Sequence, residues 1–325
     1  MTVAFDHMRR AGTESGQCTV RILQMRFEAE GVVSIDLAPV DHALVPWTPG
    51  AHIDLVLPSG TVRQYSLCNG PQDGVYRVAV LRQDQGRGGS REVHDILRVG
   101  QVLTISPPRN AFELVPSARY VFVAGGIGIT PILPMIAAAE RAGADWRLVY
   151  GGRRQASMAF TAELAGYGNR QVDLRTDDGA GPIDVAQLVQ QSDGAKIFAC
   201  GPLGLLDALE AAFDAAGRSD DLHLERFSAA IKPLPGDGTF RVNLSRSGGH
   251  VDVPPGQSIL EALRAAGVDA PCSCEQGFCG TCETRVLAGE PDHRDDLLTE
   301  AERARGDVMM PCVSRSKTPE LTLDL

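Results

Sequence analysis

Four cysteines fall within the eleven residues CSCEQGFCGTC, 272 to 282, and another follows at Cys312 after 29 intervening residues. So many thiols in one short loop call for a common partner, and the compartment decides between disulfide and metal. The N-terminus, MTVAFDHMRRAGTESGQ, has no continuous apolar stretch followed by a small-residue cleavage site. Export is therefore not signalled, and a cytoplasmic location is expected. Eight cysteines in a reducing compartment are a poor disulfide framework. Metal or redox chemistry is the better expectation.

The register sharpens that expectation. Counted from Cys274, the run reads C-x4-C-x2-C through Cys279 and Cys282, with Cys312 as the distant fourth member. This is the plant-type spacing for a [2Fe-2S] cluster. Four thiolates neutralise and cage two irons, while Gly277 and Gly280 let the loop bend tightly and aim N–H groups at the sulfurs. Structural zinc is the competitor, but it usually takes two short-spaced pairs, whereas here the remote partner is a lone cysteine. Cys272 is left over as a supernumerary thiol.

The chain of 325 residues and 34.7 kDa is 43% hydrophobic and 22% charged, enough for well-packed cores and too long for one ordinary domain. Its net charge of -10 and pI near 5.2 argue against a nucleic-acid partner and an anionic membrane surface. The longest apolar run, YVFVAGGIGITPILPMIAAA at 120 to 139, is broken by glycines, two prolines and a capping Thr130 into strand, turn and helix. No membrane span is expected there.

Between residues 18 and 107, short alternating or apolar runs are punctuated by Gly and Pro: CTVRILQMRF, VVSIDLAPV, HIDLVLP, TVRQYSLC, VYRVAVLR and QVLTISPP. That pattern predicts a closed antiparallel sheet. After Pro116 the buried runs YVFVAGG, WRLVYGG, VDLRT and AKIFACG alternate with helical patterns, predicting parallel βα units with any ligand at the carboxyl ends of the strands. SAAIKPLPGDG, 228 to 238, reads as a linker. Beyond it come strand-like FRVNLSR and HVDVP, then the helix SILEALRAAG, whose Ser258 and Glu261 fit a capping box.

Several glycine turns can receive anions. GRGGS, 86 to 90, exposes successive N–H groups at Gly88, Gly89 and Ser90, although a flexible loop would look the same. VAGGIGITP, 123 to 131, places Gly125, Gly126 and Gly128 where a strand ends and Pro131 in the first turn of a helix, a suitable pyrophosphate turn. A second turn, Cys200, Gly201 and Pro202, closes a later strand and should lie at the same sheet edge; Cys200 serves equally well as a small buried hydrophobe. His94 and His293 are expected to be surface or structural residues, since no hydrolytic or general-base motif surrounds them.

CEQGFCGTC, GEPDHRDD and the terminal PCVSRSK and LTLDL resemble the ferredoxin domain of the phthalate dioxygenase reductase family, which includes the vanillate demethylase reductases. The resemblance runs over nearly the whole chain after residue 18. It implies an FMN-binding antiparallel β-barrel domain (1–114), an NAD(P)-binding α/β domain (115–228), a linker (229–237) and an α+β, β-grasp [2Fe-2S] domain (238–325). It also implies roles within RQYSLCN, 63 to 69: Arg63 on the flavin phosphate, Tyr65 along the isoalloxazine and Ser66 near the flavin N5. Phe227 would lie against the flavin and Cys200 near the point of hydride transfer. At the adenosine end Asp177 favours NADH, while the arginines of GGRR, 151 to 154, keep NADPH open. FMN is implied over FAD, although residue chemistry alone does not exclude an adenylate tail. The expected partner is a terminal Rieske-type oxygenase of an aromatic-degrading or demethylating system. The competing reading is a redox-sensing or zinc-binding interaction protein on a decayed reductase scaffold.

Overall fold

A computed structural model of the chain describes residues 17–40, 42–84, 88–168, 171–227, 237–272, 277, 280–295 and 297–325. Three sheets organise these residues, in the order the sequence patterns suggest.

The first sheet holds β1 (Cys18–Ala29), β2 (Val32–Pro39), β3 (Ala51–Val56), β4 (Val62–Ser66), β5 (Tyr76–Leu81), β6 (Val102–Ile105) and the short β7 (Arg109–Asn110), with helix α1 (Gly89–Asp95) between β5 and β6. Its antiparallel order is β4-β3-β6-β1-β2-β5, with β7 beside β3. The open ends then meet, because Leu67 bridges Val78 and the Cys68 N–H donates to the Arg77 carbonyl at 2.9 Å. Alternation explains the curl: Val20, Ile22, Ile35, Leu37, Ile53 and Leu55 all point into one fully buried cluster. The result is a barrel-like sheet.

The second sheet is parallel, in the order β10-β9-β8-β11-β12: β8 (Arg119–Gly125), β9 (Asp145–Gly152), β10 (Val172–Thr176), β11 (Lys196–Cys200) and β12 (Leu222–Glu225). Both faces are covered, which is why β8 and β11 read as near-continuous apolar runs. Phe122 and Phe198 face α2 (Ile129–Ala142), whereas Val121, Val123, Ile197 and Ala199 face α4 (Val185–Gln191) and α5 (Leu203–Ala215). The short α3 (Thr161–Leu164) adds Leu164 to the aromatic side. Each fully buried Phe contributes about 1.5–3 kcal/mol of burial. Thr130 does not cap α2. The chain already winds as a 3-10 turn at Gly126–Gly128, so the cap position falls on Gly128, and the Thr130 hydroxyl donates back to the Ile127 carbonyl at 3.0 Å.

The third sheet runs β14-β13-β19-β15-β17, from β13 (Phe240–Leu244), β14 (His250–Val253), β15 (Thr284–Ala288), β17 (Val308–Met309) and β19 (Glu320–Leu323). β16 (Pro291–Asp292) and β18 (Arg315–Ser316) form a small separate pair. Helix α6 (Ile259–Ala265) lays Ile259, Ala262 and Leu263 on Phe240, Val242 and Leu321, and its Ser258–Glu261 capping box is formed in both directions. A second box, Thr299 with Glu302, starts α7 (Glu300–Arg305). Asp237, the last residue of the sequence-predicted linker, is held by the Arg294 guanidinium at 2.5 Å. No helix among the described residues is long and apolar enough to cross a membrane.

Candidate functional site

Strand register assembles the site. In the parallel sheet Cys200 pairs with Ala124 on one side and with Glu225 on the other. Gly125 pairs with Gly151, Gly152 pairs with Thr176, and the Asp177 N–H donates to the Gly152 carbonyl at 3.1 Å. The carboxyl edge therefore presents, in order, Glu225, Cys200, the GGIG turn, the GGRR turn and Asp177. Four strand spacings separate its ends, roughly 19 Å. An extended dinucleotide has room to lie along such an edge.

The glycines divide into two kinds. A Cβ on Gly128 would sit 2.2 Å from the Cys200 carbonyl oxygen, and one on Gly125 would meet the Pro202 ring at 2.5 Å. These two let the GGIG turn and the Cys200–Gly201–Pro202 turn pack backbone to backbone, so their role is protein packing. Gly126 differs: it has φ +55° and its Cβ would point into open space, which leaves its face clear for a ligand. The Tyr150 hydroxyl fixes this turn by donating to the Gly126 carbonyl at 3.1 Å.

At the other end of the edge the first two units meet. Ser66, the last residue of β4, donates to the Glu225 carboxyl at 3.5 Å, and Cys200 is the register partner of Glu225 on the neighbouring strand. Burial pushes the Glu225 carboxyl up to about 8, with the Ser66 and Cys200 hydrogen bonds pulling weakly the other way. Burial also drives the Cys200 thiol well above its ordinary range, so it stays protonated. Two of the residues expected at the hydride-transfer point are thus brought together by a third, Glu225, that the sequence reading passed over. In the sequence Glu225 closes the alternating run LHLE, an acidic residue at the end of a strand. His223 stacks on Phe198, with ring centroids 4.6 Å apart. Phe227, two residues past Glu225, packs half-buried against the aromatic core of the parallel sheet.

Arg63 and Tyr65 share one face of β4. A Cβ on Gly89 would come within 2.6 Å of the Arg63 guanidinium, so the RQYS strand and the GRGGS turn form one cradle. The Ser90 hydroxyl is taken up by the backbone of Gln83, leaving its N–H as the group it can offer. Burial lowers the Arg63 guanidinium from its usual range; Tyr65, Cys272 and Glu92 favour its charge while Arg264 opposes it. A residue of α6 and the supernumerary Cys272 therefore adjoin the Arg63 cradle, with an Arg264 nitrogen 2.7 Å from the Cys272 sulfur. Burial pushes the Tyr65 phenol up to about 12, as suits a ring that offers a flat apolar face. Two neighbouring cations, Arg63 and Arg264, with the half-buried Tyr65 beside Arg63, fit the phosphate and ring of FMN.

In the third unit the buried Cys282 and Cys312 sulfurs lie 3.2 Å apart. Cys274 and Cys279 fall outside the described residues. Gly277 holds φ +80°, and a Cβ there would strike Val313 at 2.7 Å and Asp295 at 3.0 Å, so only glycine fits the loop. Two converging thiols beside a glycine-dependent loop fit a [2Fe-2S] cluster. His293 is not a surface residue: its side chain is 7% exposed and one ring nitrogen is 3.7 Å from the buried Asp295. His94 is structural, bonded to the Val80 carbonyl at 2.9 Å.

Comparison with known proteins follows the same division. Residues 242–317 match the model of the 2Fe-2S iron-sulfur cluster binding domain. A protein of Ectopseudomonas oleovorans, phenoxybenzoate dioxygenase subunit beta, is 45% identical over 94% of this chain and 97% of its own. The solved structure of phthalate dioxygenase reductase, described as a modular structure for electron transfer from pyridine nucleotides to [2Fe-2S], superposes with a TM-score of 0.74. It is 37% identical over 96% of this chain and 99% of its own. The chain belongs to the phthalate dioxygenase reductase family. Another relative, vanillate O-demethylase oxidoreductase of Pseudomonas putida, is 43% identical over 92% of this chain and 96% of its own. As a phthalate dioxygenase reductase relative, the chain is an oxidoreductase with flavin, pyridine-nucleotide and iron-sulfur sites.

Proposed function

We propose that this reductase takes a hydride from NADH onto FMN and passes the electrons singly through a [2Fe-2S] cluster to a terminal oxygenase of the Rieske type, acting on an aromatic compound. The domain limits follow the sequence reading: FMN in 1–114, nucleotide in 115–228, a linker over 229–237 and a β-grasp cluster domain in 238–325. The meeting of Ser66, Cys200 and Glu225 across the junction of the first two units carries this reading.

FMN supplies the exchange between a two-electron hydride and single electrons. Arg63, with the N–H groups of Gly88, Gly89 and Ser90, holds the flavin phosphate, and Tyr65 and Phe227 flank the ring. Gly126, with Gly125, Gly128, Thr130 and Pro131 shaping its turn, receives the pyrophosphate; Asp177 receives the adenosine ribose. Gly201 and Pro202 hold Cys200 at the edge, where it offers a neutral, compact wall to the nicotinamide. Glu225, protonated near neutral pH, would hold the Ser66 hydroxyl in place at the junction, where that hydroxyl would serve the flavin ring. Cys274, Cys279, Cys282 and Cys312 hold the cluster, with Cys282 and Cys312 already at mutual cluster range.

The test is the visible spectrum of the purified protein under anaerobic titration. Flavin bands and a broad [2Fe-2S] absorbance that bleach together with NADH, and less readily with NADPH, are expected. A colourless zinc protein, or bands that neither nucleotide bleaches, would overturn the reading.

A further inference from the structure

The GGRR turn does not stand alone at the adenosine end of the edge. Glu30 is at the tip of the β1–β2 hairpin in the flavin unit, and its N–H donates to the Ala156 carbonyl at 2.8 Å, two residues past Arg154. This backbone bond pins the hairpin tip to the turn. From there the Glu30 carboxylate meets the Arg154 guanidinium at 3.0 Å. Asp177, at the end of the next strand, is tied to the same turn through Gly152.

An arginine after this strand is the group that welcomes a 2'-phosphate, whereas an acidic residue suits a free ribose hydroxyl. Arg154 already has an anion, supplied by another unit of the same chain. A 2'-phosphate approaching it must displace that carboxylate and then stand beside it. Adenosine with a free 2'-hydroxyl meets neither demand.

We propose that Glu30 is a specificity-determining residue that acts through Arg154, biasing the adenosine subsite against a 2'-phosphate. The inference rests on the nucleotide-site reading above and adds to it a residue from the flavin unit. Glu30 is a positioning and screening group; it touches no reacting atom. Because the pair is exposed, its effect is modest: an exposed ion pair is worth a factor of about two to five in binding.

The experiment is calorimetric titration of the FMN-loaded protein with adenosine 2',5'-bisphosphate and with adenosine 5'-monophosphate, in wild type, Glu30→Gln, Arg154→Gln and the double variant. Glu30→Gln is expected to tighten bisphosphate binding about two- to fivefold and leave monophosphate binding unchanged. In the Arg154→Gln background the same substitution is expected to produce less gain. A Glu30→Gln protein with the wild-type ratio overturns the proposal and leaves the nucleotide site standing. So does an equal shift for both ligands, which would mark a clamp between units, or a gain that survives loss of Arg154. A wild type that binds neither ligand overturns the nucleotide-site reading and this proposal with it.

Discussion

Glu225 draws its behaviour from the place where it is buried. A carboxyl pushed up to about 8 binds a proton in the folded protein that the unfolded chain, with its ordinary value of 4.5, releases at lower pH. Between those two values the folded state holds more protons, so stability is full below about pH 4.5 and falls as pH rises toward 8. Thermal unfolding of the wild type against pH should show this decline, and Glu225→Gln should flatten it while the protein stays folded. A Glu225→Gln profile parallel to wild type would remove the burial argument. The same residue shows the limit of sequence reasoning. RQYS, CGP and the C-x4-C-x2-C run were legible because each is a signature held within a few positions, and that run in turn pointed to Cys312. The Ser66–Glu225 contact spans 159 residues and exists only because β11 and β12 pair in register and the barrel-like sheet docks on their ends. Gly125 and Gly128 were legible as glycines but not in purpose: what they accommodate is the Cys200–Pro202 turn, which sequence proximity does not reveal.

At the scale of elements, periodicity identified the first six strands, four of the five parallel strands, and β13, β14 and α6, since alternation and the 3.6-residue stripe are local properties. Shorter pieces escaped: β7 has two residues, β12 has four with no fully buried position, and β15 to β19, α3, α4 and α7 are short pieces without a sustained pattern. The helix α6 was expected from its capping box and apolar stripe, yet its outward contact was not. Arg264, on its last turn, brings positive charge to the Arg63 cradle from a different unit. If that cradle holds the FMN phosphate, Arg264→Gln should weaken FMN binding by about 1 kcal/mol, roughly fivefold. Fluorescence recovery on FMN release measures it. An unchanged dissociation constant would confine phosphate binding to Arg63 and the GRGGS turn.

For the whole molecule, the fold carries the edge from Glu225 to Asp177, the Arg63 cradle and the adjacent Cys282 and Cys312 thiols in three units of one chain. From residue 237 onward nine Lys or Arg stand against fifteen Asp or Glu, so -6 of the net -10 charge resides in the cluster-bearing end, where it can steer a basic partner face. The order of electron flow follows from chemistry, because a cluster takes one electron at a time and a nicotinamide gives two. The decisive measurement is anaerobic stopped-flow reduction by NADH, followed separately at flavin and cluster wavelengths in wild type and Glu225→Gln. Flavin bleaching should precede cluster bleaching, and Glu225→Gln, by letting the Ser66 hydroxyl shift from its place, should slow the first phase about tenfold without lengthening the lag to the second. Cluster bleaching that does not wait for the flavin, or a first phase indifferent to Glu225, would contradict entry of electrons at the Ser66–Cys200–Glu225 junction.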